Sequence, residues 1–178
     1  MEIEQTFIPG LKLIHLNEFK DTRGGFIKVF NKEFFEKNDL ATNFEESYYS
    51  ISSKNVIRGM HFQIPPAEHT KLVYLNHGKI VDVVLDIRKT SPTYGRHFTT
   101  ELNTENPILI YIPIGCAHGF LSLEENALVT YLQTSCYNNT CDKGIKYNSF
   151  GMNWKIENPI ISERDLNFPD FQNTNFIF

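Results

Sequence analysis

Apolar and polar residues alternate with period two through much of the chain. The clearest case is "KIVDVVLDIR", where Val81, Val83, Leu85 and Ile87 fall on one face and Asp82, Val84 and Asp86 on the other. From about Ser47 to Tyr137 nearly everything reads as short strands, separated by the turn signals "NHGK", "KTSPTYG", "NTENP", "PIGCAHG" and "LEEN". Only "FNKEFFEKNDL" predicts a helix, with Asn31 as N-cap, Glu33 early and Lys37 late, an order that suits the helix dipole. Many short strands with almost no helix between them predict an all-β sandwich or barrel, not βαβ units. The C-terminal third, "YNSFGMNWKIENPIISERDLNFPDFQ", alternates less and is expected to wrap over the barrel as ordered loops with short helical turns. The last residues, "NTNFIF", are expected to be loosely held. With no repeat, low-complexity tract or linker, residues 1–178 are predicted to form one domain.

Strand parity also picks out polar side chains that do not belong in a plain core. In "YYSISSKNVIRGMHFQ" a regular strand sets Gly59, His61 and Gln63 on one face and Met60 and Phe62 on the other. If the apolar pair takes the core side, His61 is left on the polar side. Arg58 then points with Met60, unless Gly59 marks a bulge that re-aims it. In "KLVYL", Lys71 shares a face with Val73 and Leu75, and in "VTYLQT", Tyr131 shares one with Val129 and Gln133. His61, Lys71, Asp82 and Tyr131 thus turn ionisable groups toward a mostly apolar interior, which is costly unless they are paired or wet. Taken singly, each is as consistent with a buried hydrogen bond as with chemistry. His61, Lys71 and Tyr131 together, on three strands, are harder to explain as structure alone.

Composition narrows the function classes. The formal charge is −4 and no Lys/Arg cluster occurs, which argues against a nucleic-acid surface. The 15 Phe and 8 Tyr favour strands and stacking sites. Cys116, Cys136 and Cys141 form no CxxC pair and suit reduced thiols. The N-terminal "MEIEQTFIPG" is not a secretory signal, and no apolar run approaches a membrane span. A soluble, cytoplasmic protein is the expectation.

The stretch "PIGCAHGF" carries Pro113-x-Gly115-x-x-His118, which resembles the second half of the cupin signature. Metal-binding cupins also carry an HxH pair followed by a Glu. Here Gln63 follows His61 and no HxH exists, so His61, His69 and His118 lack the spacing of that ligand set. No metal is expected. Five linked motifs are more specific: "RGMHFQ", "KLVYLNHGKIVDVVLDIRKTSPTYG", "IPIGCAHGF", "VTYLQTSCY" and "PIISERD". In order and spacing, over about residues 5 to 170, they resemble the dTDP-4-dehydrorhamnose 3,5-epimerase family. The resemblance implies a metal-free, cupin-type jelly roll without a cofactor. It implies a homodimer acting on a nucleotide-diphospho-4-keto-6-deoxyhexose. It further implies His61 as base, Asp165 orienting it, Tyr131 as acid on the opposite face and Lys71 as enolate stabiliser. His118 and Asp82 would complete the pocket wall. Arg23, Arg58 and Arg164 would contact the diphosphate or its sugar, and Asp142 the nucleotide.

The departures from the family pattern lie on the nucleotide side. Lys28 stands where the family usually has Glu, Glu46-Ser47-Tyr48 where it has Gln-x-Asn, and Cys136 where an aromatic stacks on thymine, with Tyr137 adjacent. An ammonium in place of a carboxylate reverses the hydrogen-bonding preference at a base edge. The expectation is an epimerase at C3, C5 or both, with a CDP- or GDP-linked sugar as an alternative to dTDP. Its rivals are a 3,4-ketoisomerase of the same fold and a sugar-nucleotide-binding cupin without catalysis.

Overall fold

A computed structural model of the chain describes residues 1–175 and 178. Strands β1 (Glu2–Gln5), β2 (Lys12–His15), β10 (Ile108–Ile112), β7 (Lys71–His77), β12 (Ala127–Gln133) and β5 (Glu46–Ser52) form one sheet in that order. A second sheet has the order β13 (Asp142–Gly144), β6 (Ile57–Gln63), β11 (Cys116–Ser122), β8 (Lys79–Asp86) and β9 (His97–Asn103). Neighbouring strands in both sheets run antiparallel, which gives the two-sheet jelly roll expected. β3 (Glu18–Asp21) and β4 (Gly24–Ile27) pair only with each other, as a hairpin.

The alternation has a cause on both faces of both sheets. Leu13, Val73, Leu75, Ile110 and Val129 of the first sheet meet Ile80, Val84, Leu102 and Phe120 of the second in the inter-sheet core. The opposite face of the second sheet carries Met60, Phe62, Val83 and Leu85, and packs under Ile145, Phe150 and Trp154 of the C-terminal segment. That segment wraps the sheet as expected, with α2 (Glu163–Leu166) and a 3₁₀ turn at Phe171–Asn173. The outer face of the first sheet (Ile14, Leu72, Leu109) is covered by α1 (Lys32–Lys37) through Phe35. Asn31 caps α1 by accepting the Phe34 N–H at 2.9 Å, as the sequence predicts.

Three features differ from the sequence reading. Met60 and Phe62 are buried under the C-terminal wrap and not in the inter-sheet core, while His61 faces the inter-sheet interior as expected. The turn before β11 ends at Gly115; Gly119 belongs to the strand, where a Cβ would lie 2.7 Å from the Arg58 carbonyl oxygen. Of the terminal "NTNFIF", residues 176 and 177 lie outside the described residues, while Phe178 packs edge-on against Phe62.

Candidate active site

The bulge foreseen at Gly59 is present. His61 pairs with His118 and Arg58 with Phe120, so β6 spends one more residue than β11 over this interval. Arg58 thereby lies opposite an inter-sheet residue, on the face of His61 instead of that of Met60. Its guanidinium reaches the edge strand β5, donating to Ser52 Oγ at 2.9 Å and to the Ile51 carbonyl at 3.1 Å. Only glycine fits here. Gly59 has φ +129°, and a Cβ on it would lie 2.5 Å from Gly119 Cα.

His61, His118 and Asp82 look inward from the second sheet, while Lys71, Tyr131 and Tyr48 look inward from the first. Between the sheets opens a cavity of about 290 Å³, lined by Glu46, Tyr48, His61, Gln63, His69, Lys71, Gln133, Tyr137, Asp142 and Arg164.

His61 Nε2 lies 2.9 Å from Asp165 Oδ1, and Asp165 Oδ2 accepts the Gly59 N–H at 3.0 Å. Asp165 is presented by α2, whose N-cap Ser162 accepts the Asp165 N–H at 3.1 Å. Burial pushes the Asp165 carboxyl up, but its hydrogen bonds from His61, Gly59 and Ser162 outweigh this and hold it below the usual carboxylate range. An ionised Asp165 only accepts, so His61 Nε2 carries the ring proton and Nδ1 is left with its lone pair. Burial lowers the His61 pKa, with Asp165 opposing. This imidazole is neutral near pH 7 and can take a proton.

Opposite it, burial drives the Tyr131 phenol far above its ordinary value, which keeps it protonated. Tyr131 stacks on Tyr48 at 4.7 Å between ring centroids, and His118 meets it edge-on at 6.1 Å. His118 Nε2 is held by Asp82 Oδ2 at 2.7 Å, and Asp82 Oδ1 has no partner among the described residues. Lys71 donates to the His61 carbonyl at 3.2 Å. Burial lowers the Lys71 ammonium to about 8, against the pull of Asp142 and Asp82. At the mouth Arg164 pairs with Asp142 at 3.0 Å. A neutral imidazole, a protonated phenol on the facing sheet and a buried ammonium are the groups needed to move a proton beside a carbonyl.

Of the residues singled out in the sequence, His61, Lys71, Asp142 and Arg164 line this cavity. Asp165 bonds His61, Arg58 shares an adjoining pocket with His61, Arg164 and Asp165, and Tyr131, His118 and Asp82 form a linked group on the inward faces of the two sheets. Glu46 and Tyr48 also line the cavity. Glu46 is already engaged, accepting the Tyr137 N–H at 2.5 Å, so it ties down the mouth loop. Tyr48 sits against Tyr131. Arg23 and Lys28 do not reach the cavity of their own chain. Arg23, with its side chain 87% exposed, chelates Asp21 in the β3–β4 hairpin, and Lys28 sits beside Phe19, Phe26 and Phe34. Both follow from a hairpin that pairs with neither large sheet. Cys136 is exposed and absent from the cavity wall, where Tyr137 stands instead.

Sequence reasoning left out Gln63, His69, Gln133 and Tyr137 as site residues. Parity held a signal for two of them, since Gln63 shares the face of His61 and Gln133 that of Tyr131. Among the described residues no group of three or more His, Cys, Asp or Glu side chains is placed to hold a metal ion.

The model of the family described as dTDP-4-dehydrorhamnose 3,5-epimerase matches residues 5–173. A Shigella flexneri protein named dTDP-4-dehydrorhamnose 3,5-epimerase is 34% identical, over 99% of this chain and 99% of its own. The crystal structure of a Sulfolobus tokodaii protein of the same name superposes with a TM-score of 0.92 at 37% identity, covering 100% of both chains. That of a Legionella pneumophila epimerase in complex with dTDP-4-keto-L-rhamnose gives 0.92 at 30% identity, over 98% of this chain and 94% of its own. By a family match across nearly its whole length, a span that includes the residues that build the cavity, the chain belongs to the dTDP-4-dehydrorhamnose 3,5-epimerase family.

Proposed function

We propose that the chain, as one domain, inverts C3, C5 or both in a dTDP-linked 4-keto-6-deoxyhexose. The observation that carries this is the pairing of two proton-handling groups that look inward from facing sheets: His61, held by Asp165 of α2, on the second sheet and Tyr131 on the first, with the Lys71 ammonium beside His61. His61 Nδ1 takes the proton from the carbon next to the ketone. The C–H electron pair forms the enolate, whose negative oxygen Lys71 stabilises, and a positioned donor of this kind contributes about 10²–10³-fold. Tyr131 protonates the same carbon from the opposite face, and exchange with water returns His61 and Tyr131 to their starting states. Asp165 orients His61 and stabilises its charged form. His118 and Asp82 back Tyr131, and Arg58 and Arg164 bind the diphosphate through planar forks that match phosphate oxygens. Asp142 and Tyr137 stand at the nucleotide end.

The names of the relatives favour dTDP over CDP or GDP as carrier. The working form is a homodimer in the cytoplasm. The exposed Phe19 and Phe26 of the hairpin and the exposed Tyr49 and Ile51 of edge strand β5 supply apolar surface for a second copy. Such an assembly also gives Arg23 and Lys28 a nucleotide to meet. Among the described residues no helix is long and apolar enough to cross a membrane.

Proton–deuterium exchange tests the reading, with dTDP-, CDP- and GDP-linked 4-keto-6-deoxyhexoses in D₂O followed by NMR. The expected result is label at C3, C5 or both with the ketone in place, fastest for dTDP. A shifted carbonyl identifies a ketoisomerase. No exchange with any substrate refutes the epimerase. Light scattering tests the dimer, and a monomer at micromolar concentration refutes it.

A further inference from the structure

Proton return in the proposed reaction rests on Tyr131, yet on the strand pair that carries it the ring reaching the cavity wall is that of Tyr48. The two residues are direct partners across β5 and β12, and their ring planes differ by 16°. Tyr131 is 6% exposed and Tyr48 40%, so Tyr48 covers the open side of the buried ring. On another side the His118 ring meets Tyr131 at 69°, itself fixed by Asp82. Tyr131 is therefore clamped between a ring held by a buried hydrogen bond and a ring carried by an edge strand. The first of these has little freedom to move. The second has one strand neighbour and an open face, so the position of Tyr131 toward the cavity depends on Tyr48.

We infer that Tyr48 is a positioning residue for proton return. Its ring fixes how far the Tyr131 hydroxyl reaches into the cavity, and so divides protonation between the two carbons that flank the ketone. This rests on the epimerase reading above. The two carbons are neighbours of one carbonyl carbon, so a small displacement of the donor changes which is reached, and a misplacement of about 1 Å is worth about 10²-fold in rate. The effect belongs to the stacked ring and not to the Tyr48 hydroxyl, which sets the outcome of the conservative replacement.

The test compares native protein, Tyr48→Ala, Tyr48→Leu, Tyr48→Phe and Tyr131→Phe on dTDP-4-keto-6-deoxyglucose in D₂O. The readouts are kcat, KM and the ratio of deuterium at C3 to that at C5, with circular dichroism and dTDP binding as checks on the fold. Tyr48→Ala and Tyr48→Leu are expected to lower kcat by about 10–10²-fold and to shift the C3:C5 ratio several-fold, with a smaller change in dTDP affinity. Tyr48→Phe is expected to restore the native ratio and most of the rate. A native ratio and kcat in folded Tyr48→Leu overturns the inference. So does a Tyr48→Phe variant as impaired as Tyr131→Phe, which would make Tyr48 itself the donor. Native protein that exchanges neither carbon overturns the epimerase reading, and this inference with it.

Discussion

Asp165→Asn tests the dyad with almost no change in volume. The carboxylate serves two donors at once, His61 Nε2–H at 2.9 Å and the Gly59 N–H at 3.0 Å. An amide has one oxygen for these two donors. The Gly59 N–H is fixed in the backbone of the bulge, so the oxygen stays with it and the NH₂ turns toward His61. His61 Nε2 must then accept, and the ring proton moves to Nδ1, the nitrogen that has to be free to act as base. The change also removes the charge that stabilises the imidazolium. At 2.9 Å and an effective dielectric constant of about 20, the attraction between unit charges has a ceiling of roughly 6 kcal/mol. The His61 side chain is 32% exposed, which screens the pair well below that ceiling. A neighbouring opposite charge typically moves a pKa by about 1–3 units, or about 1.4–4 kcal/mol. The tautomer effect alone costs about 10⁴ in kcat in the hydrolase triad. The expected result is a kcat lower by about 10²–10⁴-fold, with dTDP affinity within about threefold of native. Deuterium exchange by NMR gives the first quantity and titration calorimetry the second. A folded variant with kcat within threefold of native refutes the dyad.

Three further outcomes follow from the same geometry. The pH profile of kcat/KM should be bell-shaped. His61 must be neutral, so activity rises through a pKa below its ordinary value, and Lys71 must be charged, so activity falls as pH passes about 8. Lys71→Arg should shift the alkaline limb upward, because a guanidinium keeps its charge; an unmoved limb excludes Lys71 as its source. Gly59→Ala should destabilise far more than Gly24→Ala. Both positions have φ well above zero, at about 1–3 kcal/mol each, but a Cβ at Gly24 meets nothing within 4 Å whereas one at Gly59 meets Gly119 Cα at 2.5 Å. Crowding adds about 1–3 kcal/mol or more, so calorimetry should show a Tm loss on the order of 5–15 °C for Gly59→Ala; equal losses would refute the close approach. Tyr137→Ala should weaken dTDP binding by roughly 5–150-fold, the range of one base–aromatic stack at about 1–3 kcal/mol, while Cys136→Ser changes it little; the reverse order would place the stacking group at Cys136.

The polar cluster between the sheets was far more legible than the cavity mouth, and strand position explains the difference. His61, Lys71, Asp82, His118 and Tyr131 lie on strands with a neighbour on each side, so their register is fixed twice and period-two parity transmits directly into which side chains share the interior. Parity could not say which of two buried faces is the inside. Met60 and Phe62 look like core because they are core, only beneath the C-terminal wrap. Nor does alternation report contacts made by close backbone approach: Gly119 has the appearance of a turn glycine, and its reason lies across the sheet at Gly59. The four short strands before α1 escaped notice because four-residue segments hold too few alternations to be told from loop. The residues assigned to the nucleotide in the sequence lie instead on edge strands, the mouth loop and a detached hairpin. There Glu46 reaches the Tyr137 N–H across 91 residues of sequence, and Arg23 and Lys28 are carried away from their own cavity. Such contacts leave no periodic trace. Tyr48 stands at the border of the two regimes, inward-facing by parity but on an edge strand, and for that reason its partner Tyr131 is the member of the inward cluster most open to adjustment by sequence change.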